Sequence, residues 1–187
     1  MASGGRKGLI LMILACVLLV GLGGLAVVLN SPPVPKEFDR FRGIPWGASV
    51  GEVPGVKLLA EDGDLTFYVR DGDQLSFEDV EVNNIVYGFH KGHFYNVIIY
   101  YRTADAFSKI KERFYQQLGN AYHPVQSEKR YFWDGDKVGV LLTFDDPLDE
   151  GRVSFLFKPV ANEVVAKEGR PLEGFNTPAV EPARCGP

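Results

Sequence analysis

Residues 80–102, VEVNNIVYGFHKGHFYNVIIYYR, constrain the fold more than any other part of the chain. Aromatic and β-branched residues fill both arms, and Lys91-Gly92 offers a two-residue connection in which glycine accepts positive φ, so the spacing predicts a β-hairpin. On the second arm Val97, Ile99 and Tyr101 point one way and Asn96, Ile98 and Tyr100 the other. Both faces are mainly apolar, which places the pair at the centre of a sheet and not at its edge.

The segments around the hairpin extend that sheet. LTFYVR precedes it, and KRYFW, KVGVLLTF and RVSFLFK follow, separated by Asp134-Gly135-Asp136 and DDPLDEG. Between the two groups lies a helix over 103–118. Thr103 is its N-cap, Asp105 complements the dipole and Gly119 stands at C′, while Phe107, Ile110, Phe114 and Leu118 form one stripe. Upstream, Ser49 and Glu52 have capping-box spacing, and Pro54-Gly55 stops that turn. The expected class is α+β: a mostly antiparallel sheet of about six strands with one main helix on a face, preceded by one transmembrane helix. Each half runs from a helical segment into three strands, and Tyr68-Val69-Arg70-Asp71-Gly72-Asp73 aligns with Tyr131-Phe132-Trp133-Asp134-Gly135-Asp136. Duplication of an α-β-β-β unit and independent use of a good turn both account for that match.

Ahead of the domain, residues 1–7 form a short tail carrying Arg6 and Lys7, and residues 8–29 form an uncharged apolar run. At about 1.5 Å per residue a helix of that length crosses a hydrocarbon core of about 30 Å. The run reads as a single-pass signal anchor. Cleavage near Gly24-Leu25-Ala26 and lipidation of Cys16 behind Ile13-Leu14-Ala15 stay open as alternatives. Lys36, Arg40 and Arg42 balance Arg6 and Lys7, so the order of elements, not flanking charge, puts the C-terminal domain outside. Residues 30–37 are a Pro-rich linker, 38–160 the domain and 161–187 an irregular tail.

A net charge of −4 with mixed signs leaves no basic footprint for nucleic acid. The two cysteines, Cys16 and Cys185, lie in the apolar run and the tail, which leaves the core without a disulfide. No nucleophile elbow, phosphate loop or dinucleotide glycine pattern occurs, so no catalytic residue is assigned and no cofactor is expected. None of the Asp-Gly-Asp triplets at 62–64, 71–73 and 134–136 continues with the alternate acidic ligands, sixth-position glycine and twelfth-position glutamate of an EF-type loop, and they read as turns. Asp145, Asp146, Asp149 and Glu150 read as a solvated loop. His90 and His93 face each other across the predicted hairpin tip as two exposed rings. They are the candidate metal ligands, although no third donor is placed beside them and His123 is the remaining histidine. Trp46, Tyr95 and Trp133 join those histidines as candidate binding residues: most of the aromatic load must be core, and aromatics that do not fit a core one face wide would mark a binding surface.

The block FRGIPWGASVGEV, followed by the helix ending Leu118-Gly119-Asn120 and by RYFWDGDKVGVLLTF, resembles small exported or anchored bacterial envelope proteins. Their domain opens on a similar F-R-G-I-x-W-G block. The resemblance covers residues 38–159 and implies a bacterial envelope location with no catalytic residues; with the anchor over 8–29, the expected location is the inner membrane, single-pass, with the domain extracytoplasmic. At the level of fold, the helix-plus-three-strand order is similar to the small α+β modules of outer-membrane assembly lipoproteins and β-lactamase-inhibitor proteins, which bind other proteins. The expected function is a membrane-anchored, non-catalytic envelope domain that binds a protein or another envelope component. The alternatives are a metal- or small-ligand-binding domain at His90 and His93, enzymatic or not, and a spacer that contacts only itself.

Overall fold

The structure, a computed structural model, describes residues 38–168. The expected anchor over 8–29, the linker over 30–37 and the tail from 169 lie outside them. Among the described residues no helix is long and apolar enough to cross a membrane.

The predicted hairpin forms from β7 (Asn84–His90) and β8 (His93–Arg102), joined by Lys91 and Gly92 at φ 49° and 78°. Its ladder runs from Asn84↔Tyr100 to Gly88↔Asn96 and then shifts to Phe89↔Phe94, so Tyr95 is an extra residue and makes a bulge. A Cβ on Gly88 would lie 3.0 Å from that of Asn96 and 3.5 Å from the rings of Phe67 and Tyr95.

In chain order the other strands are β1 (Arg40–Phe41), β2 (Ile44–Pro45), β3 (Val56–Asp62), β4 (Leu65–Arg70), β5 (Ser76–Phe77) and β6 (Val80–Glu81), then β9 (Arg130–Asp134), β10 (Val138–Asp145) and β11 (Glu150–Phe157). Seven form one antiparallel sheet in the order β3-β4-β7-β8-β11-β10-β9, while β1-β2 and β5-β6 are separate ladders. The expectation of about six strands omits β3, whose residues VKLLAED mix apolar and charged side chains, none of them fully buried, and include a register shift between Leu58 and Ala60. Strands β4, β7 and β8 mirror β9, β10 and β11 about the central β8–β11 pair. The halves are nevertheless unequal. In the first, the helical segment is a single 3-10 turn, Val50–Glu52, and β3, β5 and β6 are additional.

Helix α1 (Ala104–Leu118) covers one face of the sheet. Thr103 Oγ1 accepts the Ala106 N–H at 3.2 Å, and Gly119, at φ 79°, donates its N–H to the Tyr115 carbonyl. The predicted stripe is buried, with Phe114 set edge-on to Trp133 and Phe155. Over the same face folds the FRGIPWG block. Arg42 and Gly43, at φ 48° and 81°, turn β1 into β2, Phe41 packs on Tyr87 and Phe155, and Trp46 stacks on Phe94 at 4.7 Å.

The opposite face corrects the expected irregular tail from residue 161. Residues Lys158–Glu168 are a helix, α2, and Ala161 and Val164 are buried against Phe67, Val86, Tyr95, Ile98 and Leu156. Pro159 suits a first helical turn, and the apolar stripe is too short to be recognised apart from the sheet that it covers. Three polar atoms buried in the molecule, His90 Nε2, Asn96 Oδ1 and Ser154 Oγ, have no partner among the described residues.

Tyr101 crosses the backbone of β11 at Gly151, its register partner, to donate its hydroxyl to the Thr143 carbonyl of β10 at 2.8 Å. A Cβ on Gly151 would stand 2.3 Å from that ring. Gly151→Ala is therefore expected to destabilise the domain by about 2–3 kcal/mol, read as a lower denaturant midpoint. Combined with Tyr101→Ala, its cost is expected to fall well short of the sum of the two single costs, because the clash then has no partner.

Candidate functional site

The residues singled out in the sequence do not converge. His90 is buried, with its ring edge-on to Tyr95, whereas His93 is exposed, with Nδ1 3.2 Å from the Gly47 carbonyl. The expected pair of exposed rings is thus corrected: they close the hairpin as register partners, but only one meets solvent. His123 stacks on Tyr131. Among the described residues no three His, Cys, Asp or Glu side chains gather as a metal site. Trp133 is buried and donates Nε1–H to the Gly119 carbonyl at 2.9 Å; Trp46 donates to the Phe38 carbonyl at 2.7 Å; Tyr95 is buried under α2. These aromatics belong to the packing.

A concave surface arises elsewhere, where two neighbouring strands part. Strand β4 pairs with β7 only from Leu65↔His90 to Tyr68↔Tyr87. Beyond that point Val69 and Arg70 stay with β3, while Asn84 and Ile85 stay with β8. Asn84 Oδ1 accepts the Ile85 N–H at 2.9 Å. The gap is a cleft of about 580 Å³, with Leu59, Val69, Leu75, Ile85 and Tyr100 among its apolar walls and Arg70, Asn83 and Asn84 among its polar lining. Leu59 and Leu75 are 36% and 48% exposed, high for leucines lining a concavity.

Every carboxylate lining the cleft is already paired with a cation. Asp71 meets Lys57 at 2.8 Å and Glu150 meets Arg102 at 2.6 Å. Asp73, only 9% exposed at its side chain, accepts from Arg42 at 2.5 Å and from the Tyr87 hydroxyl at 2.6 Å. Arg42 also donates to the Ser76 carbonyl, so one guanidinium ties the β1–β2 turn to the 71–73 turn. Burial, and then the hydrogen bond to Asp73, push the Tyr87 phenol above its ordinary range, and burial alone does the same for Tyr101. Both stay protonated at neutral pH. Among the described residues the lining contains no serine, threonine, cysteine, histidine or lysine.

Of the residues that make the cleft, the sequence marks Asp71-Gly72-Asp73 and Glu150, and only as turn and loop residues. The nearest signal is Asn83-Asn84 at the foot of an otherwise apolar strand, two amides where a central strand has no use for them.

Two outcomes follow from the Asp73 cluster. Asp73→Ala strands the Arg42 guanidinium and is expected to cost about 3 kcal/mol in equilibrium unfolding, with Arg42→Met/Asp73→Leu recovering most of it. The raised phenols set the alkaline limb. Below about pH 10 both states keep these protons; above it the unfolded chain releases them first, so stability falls as pH rises. That fall is expected to be shallower in Tyr87→Phe, as followed by denaturant titrations through the alkaline range.

No protein-family model matches the chain, and no curated protein and no solved structure is detectably similar to it.

Proposed function

We propose that this chain is a membrane-tethered, non-catalytic binding domain of the bacterial envelope, which holds an extended segment of a partner protein in the cleft between β4 and β7. The observation that carries the reading is the parting of those strands over apolar walls, with every lining carboxylate already paired. Residues 8–29 supply a single-pass tether and residues 30–37 a stiff spacer, with the domain on the outer side of the inner membrane. Leu59 and Leu75 offer apolar area to an incoming side chain, worth about 1.5–3 kcal/mol for each large residue covered. Asn83 and Asn84 supply amides suited to a partner's backbone.

The test uses the full chain in nonionic detergent, applied to an array of random heptapeptides. A subset is expected to bind, and Leu59→Asp and Leu75→Asp are each expected to weaken that subset by about tenfold or more. Both side chains are partly exposed, so the fold tolerates the change. An array on which no bound peptide responds to either substitution overturns the reading.

A further inference from the structure

The register of the sheet places a line of half-buried side chains next to the cleft. Asn84 pairs with Tyr100, Tyr100 with Arg152, Arg152 with Thr143 and Thr143 with Arg130, so five adjacent strands contribute one residue each to a single cross-strand row. By alternation the row lies on the face that α2 covers, since Tyr100 packs with the cluster that holds Ala161 and Val164. The next row, Val86, Ile98, Ser154 and Leu141, is fully buried on that face. All five residues of the Asn84–Arg130 row are only half-buried. It is therefore a shelf along the margin of the covered area, and its first two residues, Asn84 and Tyr100, also line the cleft.

Among the described residues Arg40 and Lys91 are exposed without a carboxylate partner and half-buried Lys111 lies over the Phe107 and Tyr131 rings, so what distinguishes this shelf is half-buried cations with neither a carboxylate nor a ring. Arg42, Lys57, Arg102, Lys109, Arg113, Lys129 and Lys158 each have a carboxylate partner. Arg152 and Arg130 have neither an ion pair nor a side-chain hydrogen bond among the described residues, and Arg70, at the cleft itself, has none either. A chain with a net charge of −4 has carboxylates to spare. Arg152 and Arg130 are instead held on one face with Thr143 between them, two cations of one row open to an anion.

Resting on the binding reading above, we propose that the segment taken by the cleft is acidic: an apolar side chain enters between Leu59 and Leu75, and carboxylates lie along the shelf on Arg152 and Arg130. The dimensions suit an extended polypeptide. Four interstrand steps from Asn84 to Arg130 span about 19 Å, the length of about six extended residues. Guanidinium groups favour bidentate carboxylate contacts, and the hydroxyls of Thr143 between them and of Tyr100 beside Arg152 can donate to the same chain. A single phosphate would occupy one point of the row and leave the apolar walls of the cleft unused.

The heptapeptide array, probed with the full chain in nonionic detergent, tests this directly. Peptides that depend on Leu75 are expected to be enriched about threefold or more in Asp and Glu over the array as a whole. The double variant Arg130→Gln/Arg152→Gln is expected to weaken them about tenfold and to abolish the acidic preference, with raised salt acting in the same direction. Arg130→Lys/Arg152→Lys is expected to keep the preference, and an unchanged melting temperature in both variants assigns the loss to the surface. Peptides that need Leu75 but show no acidic enrichment overturn this inference and leave the binding reading intact. If no peptide needs Leu59 or Leu75, the binding reading fails first. Displacement by inorganic phosphate that Leu75→Asp does not alter overturns the inference in favour of a simple phosphate site.

Discussion

Strand β8 is buried on both faces over residues 94–99, and no arrangement of the chain can satisfy it with a single layer. A strand of this kind needs neighbours on both edges and cover on both sides. The edges are taken by β7 and β11, and the two sides by α1 and α2. The asymmetry of the domain follows. One cover is a fifteen-residue amphipathic helix reinforced by the β1–β2 turn, and the other is an eleven-residue helix seated through small side chains.

The FRGIPWG block takes its meaning from this scheme. Arg42 and Gly43 adopt positive φ to make a tight turn, Gly47 does so where the chain bends toward β8, and Phe41, Ile44 and Trp46 point into the aromatic core. Arg42 then reaches across 31 positions in sequence to Asp73. The motif is a fastening. It closes one end of the sheet, and the turn that it holds forms part of the cleft's margin.

The hairpin and α1 are legible in the sequence because their signals are local: a period of two, a period of 3.6, caps and a two-residue turn. Helix α2 and strand β3 are not, for opposite reasons. The apolar stripe of α2 is short and makes sense only beside Phe67 and Ile98, which lie far away in sequence, while β3 has no buried face to show. His90 reads as exposed because it stands at a hairpin tip, whereas its ring packs against Tyr95, the residue that the bulge adds. The cleft cannot be read from the sequence at all. It exists because two strands fail to pair beyond Tyr68 and Tyr87, and no residue in either strand announces where pairing will end.

His90 Nε2, Asn96 Oδ1 and Ser154 Oγ are buried with no hydrogen-bond partner among the described residues, and by alternation along their strands they belong to the layer closed by α2. Lifting α2 returns these groups to water, and the solvation they recover offsets part of the cost of exposing Ala161, Val164 and the apolar side chains beneath them. Lifting α1 bares Phe107, Ile110 and Phe114 and returns no comparable benefit. The two covers thus differ in what they close over: α2 seals polar atoms among its apolar contacts, whereas α1 seals aromatic and aliphatic side chains.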